Sequence, residues 1–349
     1  MAKVPAPEYP TLVERFIGLF HLPYLVGCVF VAFLVAFVGL SLAPIYLRTL
    51  DFGKAVAEWL PQTPAAAASY IISYIITLWL FYAPHYMRKK MLQAEAPISA
   101  LLPNGEEDFH KHFGRVSALK PQLIIWISFL ISMFTFIVLV FGFVPPLIEL
   151  VLFIFSASII VLGFASLVWT YFSSLWGIHR IGDASLNLRP HYKDRLLGLK
   201  PAGSLALSLV MAYFAFVGLF FMTGIVGSPE PLDPVAYALF SALVIPGLLM
   251  FILPLRTLHQ RMLKQKKLER DRLEQRLDQI YQNTSEINTP SDLSQLFFSL
   301  SISDTMKKEI SVIASWPVDV QILGRLIAVT LTVLGILIAN AVRKFLGLP

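Results

Sequence analysis

Apolar residues in this chain come in long unbroken runs, not in the alternating or three-to-four-residue patterns of a soluble core. No Asp, Glu, Lys or Arg occurs between Arg15 and Arg48, Glu58 and Arg88, Lys120 and Glu149, Glu149 and Arg180, Lys200 and Glu230, Asp233 and Arg256, or Arg325 and Arg343. A helix needs about 20 mainly apolar residues to cross the hydrocarbon core of a bilayer. Six of the runs exceed that length. The last, at 17 residues, suffices once Arg325 and Arg343 extend toward the headgroups. The pattern predicts seven spans, near 20–44, 66–87, 122–144, 147–176, 204–227, 236–256 and 323–343. Helices of a soluble core would carry polar faces, and Leu147–Trp176 has none. The expected fold is therefore all-α, a polytopic helical membrane protein.

Composition agrees. Of the 349 residues 56% are hydrophobic and 14% charged, and the mean hydropathy is +0.69. A soluble domain carries about 25% charged residues, so a disordered chain, a nucleic-acid-binding domain and an ordinary soluble enzyme are excluded. Cys28 is the single cysteine, which excludes an intrachain disulfide and a cysteine-based metal site. The first ten residues hold three prolines and Glu8 and lack the basic leader of a signal peptide, so the first run is read as a retained span.

The distribution of basic residues sets an expected orientation. Of the 28 Lys and Arg, 24 fall in the N-terminus, the loops 88–121 and 177–203 and the stretch 256–325, and four fall on the other side. Basic loops stay in the cytoplasm, which predicts N-terminus in and C-terminus out. The Arg343–Lys344 pair opposes this, and six spans with a re-entrant last hairpin is the alternative. Three regions result: a six-helix bundle with cytoplasmic loops over 1–256, a cytoplasmic helical anchor over 257–321, and a last span within 322–349.

Within the anchor, Arg256–Gln282 lacks Pro and Gly and is rich in strong helix formers. Lys267–Asp271 and Arg270–Glu274 have ion-pair spacing, and Leu273, Leu277 and Ile280 form a short apolar stripe. After a polar break at 283–290, Leu293, Leu296, Phe297 and Leu300 resume a helical pattern. Ser303 reads as the N-cap of a further helix, which ends near Trp316 because Pro317 disfavours helical geometry before it. Met306, Ile310 and Ile313 form the apolar stripe of that helix. Its cover is the preceding helix, an extension of another span, or a second subunit, so the three are candidate subunit-contact residues.

The candidates for chemistry are few. Gly105–His112 gathers three carboxylates and two histidines, but its spacing fits no zinc signature and it reads as a solvated charged loop. His21 and His85 lie at span edges and read as interfacial side chains. Arg189, Lys193 and Arg195 form a basic cluster suited to an anionic lipid headgroup. No catalytic pairing, phosphate-binding loop or metalloprotease motif occurs, so no enzymatic activity, cofactor, metal or nucleic-acid partner is expected. The span interiors carry no charge, which argues against a coupled transporter, although Pro246-Gly247 offers a break in the sixth span.

The last span differs from the others. It has no aromatic residue from Gly324 to Lys344 and contains Thr330, Thr332, Gly335 and Asn340. Thr332, Ile336 and Asn340 share one face, which suits close helix packing or the lining of a pore.

The layout resembles the insect odorant and gustatory receptor superfamily and its gustatory-receptor-like relatives. The features that carry the likeness are seven spans, a sixth span running on into Arg256–Gln282, a second cytoplasmic helix at about Ser303–Ser315, and a small ring-free last span at Gly324–Lys344. The resemblance is one of layout, and no site residue transfers by motif. It implies a homotetramer held by its cytoplasmic anchor, a multi-pass protein of the plasma membrane, and a cation-conducting pore lined by the last helix. A transporter of a neutral or lipid-like substrate and a non-conducting sensor or scaffold are the alternatives.

Overall fold

The computed structural model describes residues 10–35, 52–59, 64–141, 147–190, 194–226, 234–283 and 290–345. Among them there are helices and no strand. They are α1 (Leu12–Gly18), α2 (Tyr24–Phe33), α3 (Phe52–Trp59), α4 (Pro64–Ser99), α5 (Glu106–Phe113), α6 (Leu119–Phe141), α7 (Leu147–Asp183), α8 (Lys200–Val226), α9 (Pro234–Asn283), α10 (Pro290–Ser311) and α11 (Val320–Phe345). A short 3-10 turn, Gly114–Ser117, joins α5 to α6.

Five helical stretches are long and apolar enough to cross a membrane: Ala67–Ser99, Glu106–Phe136, Leu150–Asp183, Lys200–Thr223 and Ala242–Ile280. They overlap the expected second to sixth spans. For the expected first and last spans, the described residues supply the shorter apolar helices Tyr24–Phe33 and Val320–Gly335. Outward faces are strongly apolar, with Ile124, Phe136, Leu139 and Phe155 each more than half exposed. Water would penalise such faces, whereas lipid accepts them.

α8 is the central helix. It packs against α4 most extensively, then against α11, α9 and α7. Ala206, Leu209, Val210, Phe214 and Phe221 of α8 are all buried. In lipid such contacts stabilise through dispersion and close approach more than through exclusion of water. The outer layer is made by α1, α2 and α6, which lean on α4 and α7.

Two of the long helices carry prolines and do not break. Pro84 and Pro97 lie inside α4, and Pro246 and Pro254 inside α9. A proline crowds the preceding turn and has no N–H to give it. In both helices a tyrosine from a neighbouring helix bonds a carbonyl of the turn before a proline: Tyr24 donates to the Phe81 carbonyl at 2.6 Å, and Tyr213 to the Leu243 carbonyl at 2.7 Å. Each acceptor lies three residues before a proline. The expected break at Pro246-Gly247 is therefore absent. Gly247 serves instead as a crossing point, where a β-carbon would come within 2.8 Å of the Tyr213 ring.

The segments grouped on one side by charge do meet at one end of the fold. The Asn187 amide donates to the Leu101 carbonyl at 2.8 Å, and the Ala314 amide to the Arg195 carbonyl at 3.1 Å. Two basic residues of α9 cap helix C-termini there. Arg261 donates to the Gly182 and Asp183 carbonyls at the end of α7, and Lys266 to the Ser311 and Ile313 carbonyls at the end of α10. Unpaired carbonyls and the negative end of the helix dipole both favour a cation at that place.

The anchor region departs from expectation in two ways. α10 is one helix from Pro290 to Ser311, and Ser303 lies inside it. Its hydroxyl bonds back to the Ser299 carbonyl at 2.8 Å, so it satisfies its own helix and caps none. The helix also stops four residues before Ser315. Gly105–His112 is likewise no solvated loop. Glu106–Phe113 is a helix anchored by buried Phe109 and Phe113, with Asp108 bonded to Asn104 and His110 paired with Glu95 at 3.1 Å. The pair Arg270–Glu274 closes at 2.8 Å as its spacing suggests.

Candidate functional site

α11 is held from one side. Asp319 caps it, accepting from the Ile322 amide at 2.9 Å, and pairs with Lys200 at the start of α8 at 2.8 Å. The Lys200 contact, stronger than the cost of burying the group, holds the Asp319 carboxyl below the ordinary carboxylate value. Ile322, Leu326 and Val333 are buried, with Val329 packed beside them, and they form the face that meets the α8 side of the core.

The opposite side of α11 is open. Gln321, Gly324, Ala328, Thr332, Gly335 and Ala339 are all exposed. At about 100° per residue they fall within one sector about 80° wide. Gly324 and Gly335 have open space where a side chain would stand. The Thr332 hydroxyl is turned onto the Ala328 carbonyl at 2.8 Å, as an isolated helix in lipid requires. Of the three residues read as pore-lining, Thr332 lies on this face. The side chains of Ile336 and Asn340 lie outside the described residues, and the helical register sets them about 40° and about 80° from Thr332, toward the α8 side.

The α10 stripe divides. Ile310 and Ile313 are 7% and 3% exposed and belong to the chain's own core with Leu273 of α9, whereas Met306 is 39% exposed. Of the three covers the sequence allows, the preceding helix takes these two isoleucines. A different set of α10 residues stands free: Phe297 and Phe298, 65% and 70% exposed, and Ile302. His259 stacks on Trp316 with ring centres 4.2 Å apart and reaches the Ser315 carbonyl, which fastens the linker from α10 to α11 onto α9.

A second polar arrangement escapes the charge-run reading because it begins before the first run. Glu14 of α1 is buried, and both its carboxylate oxygens are filled. Oε2 accepts from the Thr11 amide at 2.8 Å and hydroxyl at 3.2 Å. Oε1 accepts from Arg88 Nε at 2.9 Å and lies 2.7 Å from His85 Nδ1. Burial pushes the Glu14 carboxyl up, but the bonds from His85 and Thr11 and the Arg88 charge prevail and hold it below the ordinary value. The next two amides of α1 are satisfied from other helices, Leu12 by Gln122 at 2.9 Å and Val13 by Ser166 at 3.3 Å. α1 is thus pinned to α4, α6 and α7. Thr11-Leu-Val-Glu14 is a capping-box spacing ahead of an apolar run, and that local signal was legible in the sequence. His85, read as interfacial, is a ligand of this carboxylate and stacks on Tyr24 at 4.4 Å. His21 stays exposed in the turn between α1 and α2.

Of the basic cluster, Arg189 lines a large cavity, Arg195 is exposed, and Lys193 lies outside the described residues. No group of three or more His, Cys, Asp or Glu is arranged to hold a metal among the described residues.

The fold and these exposed apolar faces define a multi-pass integral membrane protein. Comparison with protein-family models, curated proteins and solved structures gives no match to the chain.

Proposed function

We propose that the chain is an oligomeric, ion-channel-like protein of the plasma membrane, in which α11 of each subunit lines a central pore. The N-terminus and the α9–α10 pair face the cytoplasm in this reading. A homotetramer is the assembly that the layout's resemblance to the odorant and gustatory receptor superfamily implies. The observation that supports it is the open face of α11. On that face Leu331, Ile338 and Val342 stand exposed as lipid would favour, and beside them Gly324, Ala328, Thr332, Gly335 and Ala339 form a continuous strip of small residues. Small residues favour close approach by identical helices, and one hydroxyl in a narrow apolar passage suits a pore that gates by wetting.

The test is planar-bilayer recording of purified protein in symmetric salt, with oligomer mass measured in parallel. The parent is expected to conduct. Gly335→Leu is expected to reduce conductance while the oligomer persists, and Ile336→Asn to raise resting conductance. Leu334→Asn, roughly on the far side of the helix, serves as the control for a general packing defect. Confirmed oligomers that pass no current, in the parent and in Ile336→Asn alike, would overturn the channel reading in favour of a transporter or a scaffold.

A further inference from the structure

A cavity of about 740 Å³ lies where α4, the loop before α8, the first turns of α8 and the start of α11 meet. Its walls are electrostatically one-sided. Lys90, Arg189, Lys200 and Arg325 line it from four different elements, and the one carboxylate in the lining is Asp194. Asp194 is already committed to the loop, accepting from the Leu196 amide at 2.9 Å and the Gly198 amide at 3.0 Å. Lys200 is paired with Asp319. Among the described residues no carboxylate comes within ion-pair distance of Lys90, Arg189 or Arg325. Two carboxylates therefore face four cations, and like charges held around a half-open cavity repel one another unless an anion joins them.

The loop is shaped to hold Arg189 in place. Leu197 and Gly198 both adopt left-handed backbone, with φ of 54° and 88°, which is costly for leucine. Leu197 is 1% exposed, and its carbonyl accepts from the Arg189 amide at 3.1 Å. Gly198 lies under the Arg189 stem, where a β-carbon would come within 3.2 Å of Cγ. The opposite end of the cavity is mainly apolar, and the hydroxyls of Ser204 and Ser208 on that wall are turned onto the Pro201 and Ser204 carbonyls of their own helix at 3.0 and 2.9 Å. This end runs along α8 from Pro201 past Leu205 and Leu207 to Met211, about 15 Å at 1.5 Å per residue.

We propose that this cavity binds a phosphate-bearing anion, with Lys90, Arg189, Lys200 and Arg325 as its counter-charges. Guanidinium groups take phosphate oxygens in pairs, and lysines add point charge. A free phosphate ester meets that requirement, and so does the headgroup of an anionic lipid. The apolar floor along α8 favours the lipid, since it gives an acyl chain a path beside the charges. The bound anion would tie Lys90 of α4 and Lys200 of α8 to Arg325 of α11, and this binding holds whether or not α11 conducts.

The test uses delipidated full-length protein in neutral detergent. Dioleoyl phosphatidylglycerol, dioleoyl phosphatidylcholine and glycerol phosphate are added separately, with bound lipid read by native mass spectrometry and melting temperature read alongside. Phosphatidylglycerol is expected to bind and raise the melting temperature, and phosphatidylcholine to do neither. The Arg189→Gln/Arg325→Gln protein should bind phosphatidylglycerol about tenfold more weakly or worse. The Lys264→Gln/Lys267→Gln protein, which removes two exposed charges outside the cavity, should bind as the parent does. If glycerol phosphate matches phosphatidylglycerol in the parent and loses its effect in the double variant, the anion is a soluble ester. Equal binding of phosphatidylglycerol by the parent and the cavity variant overturns the proposal, as does equal binding of both lipids by the parent. If the double variant does not fold, displacement of phosphatidylglycerol from the parent by excess glycerol phosphate reads the same site, and no displacement together with parent-like binding by Lys90→Gln overturns it.

Discussion

The carbonyl oxygen of Pro317 rests against Gly203, at a point where a β-carbon on residue 203 would overlap it. Here the linker from α10 to α11 crosses the first turn of α8, and the Lys200–Asp319 pair at 2.8 Å spans the same crossing. The backbone approach sets where α11 starts, and Asp319 then caps it. Gly203→Ala is expected to displace the linker and destabilise the protein by about 1–3 kcal/mol, the usual range for overpacking a tight contact. Gly218→Ala on the same helix is the control, because its β-carbon would meet Val333 at an ordinary 3.8 Å. Melting temperatures in one detergent check the pair, and equal losses would contradict a specific clash at residue 203.

The Glu14 cluster predicts a dependence on pH. Its carboxyl is held below the ordinary value of 4.5, so its charged form favours the folded state. That contribution is fully present above the ordinary value and is lost as pH falls through the lowered one. The parent's melting temperature should drop more steeply than that of Glu14→Gln from about pH 5 downward. At neutral pH Glu14→Gln should cost about 2–4 kcal/mol, because it leaves Arg88 without its carboxylate in a half-buried place. Parallel melting curves across that range would contradict the assignment.

α10 offers two substitutions with different expected results. Ile310 is buried against α9, so Ile310→Asp places a charge in a dry contact at a cost of several kcal/mol. It should loosen α10 from α9 and expose the α10 backbone to limited proteolysis. Phe298 is 70% exposed and touches little of its own chain. Phe298→Asp should leave the protomer's melting unchanged and shift the elution profile if α10 meets a second subunit. An unchanged profile for Phe298→Asp would remove that face from the subunit contacts.

Topology is open to direct measurement. From the 24-to-four partition of basic residues, a tag after Gln282 should be cytoplasmic and a tag after Pro349 external. Protease protection that places both tags on one side would favour six spans with a re-entrant last hairpin.

The amino-acid sequence by itself marked the five helices long and apolar enough to cross a membrane. A charge or an unpaired backbone group is so costly in hydrocarbon that each of these helices carries a long uncharged run, such as the one between Glu149 and Arg180, which needs no neighbour to be recognised. The long α9 was also legible, since Arg256–Gln282 has helix formers and no breaker. Tertiary structure decided everything that depends on which side of a helix meets what. Glu14 finds His85 and Arg88 more than seventy residues away, and nothing in its own neighbourhood names them. Ile310 and Ile313 form a stripe that the sequence leaves open to three covers, and only packing assigns them to α9. A helix in lipid is apolar all round, so periodicity carries no direction. The buried side of α11, Ile322, Leu326 and Val333, is set by the close approach of Pro317 to Gly203 and the Asp319–Lys200 pair, which fix the helix against α8.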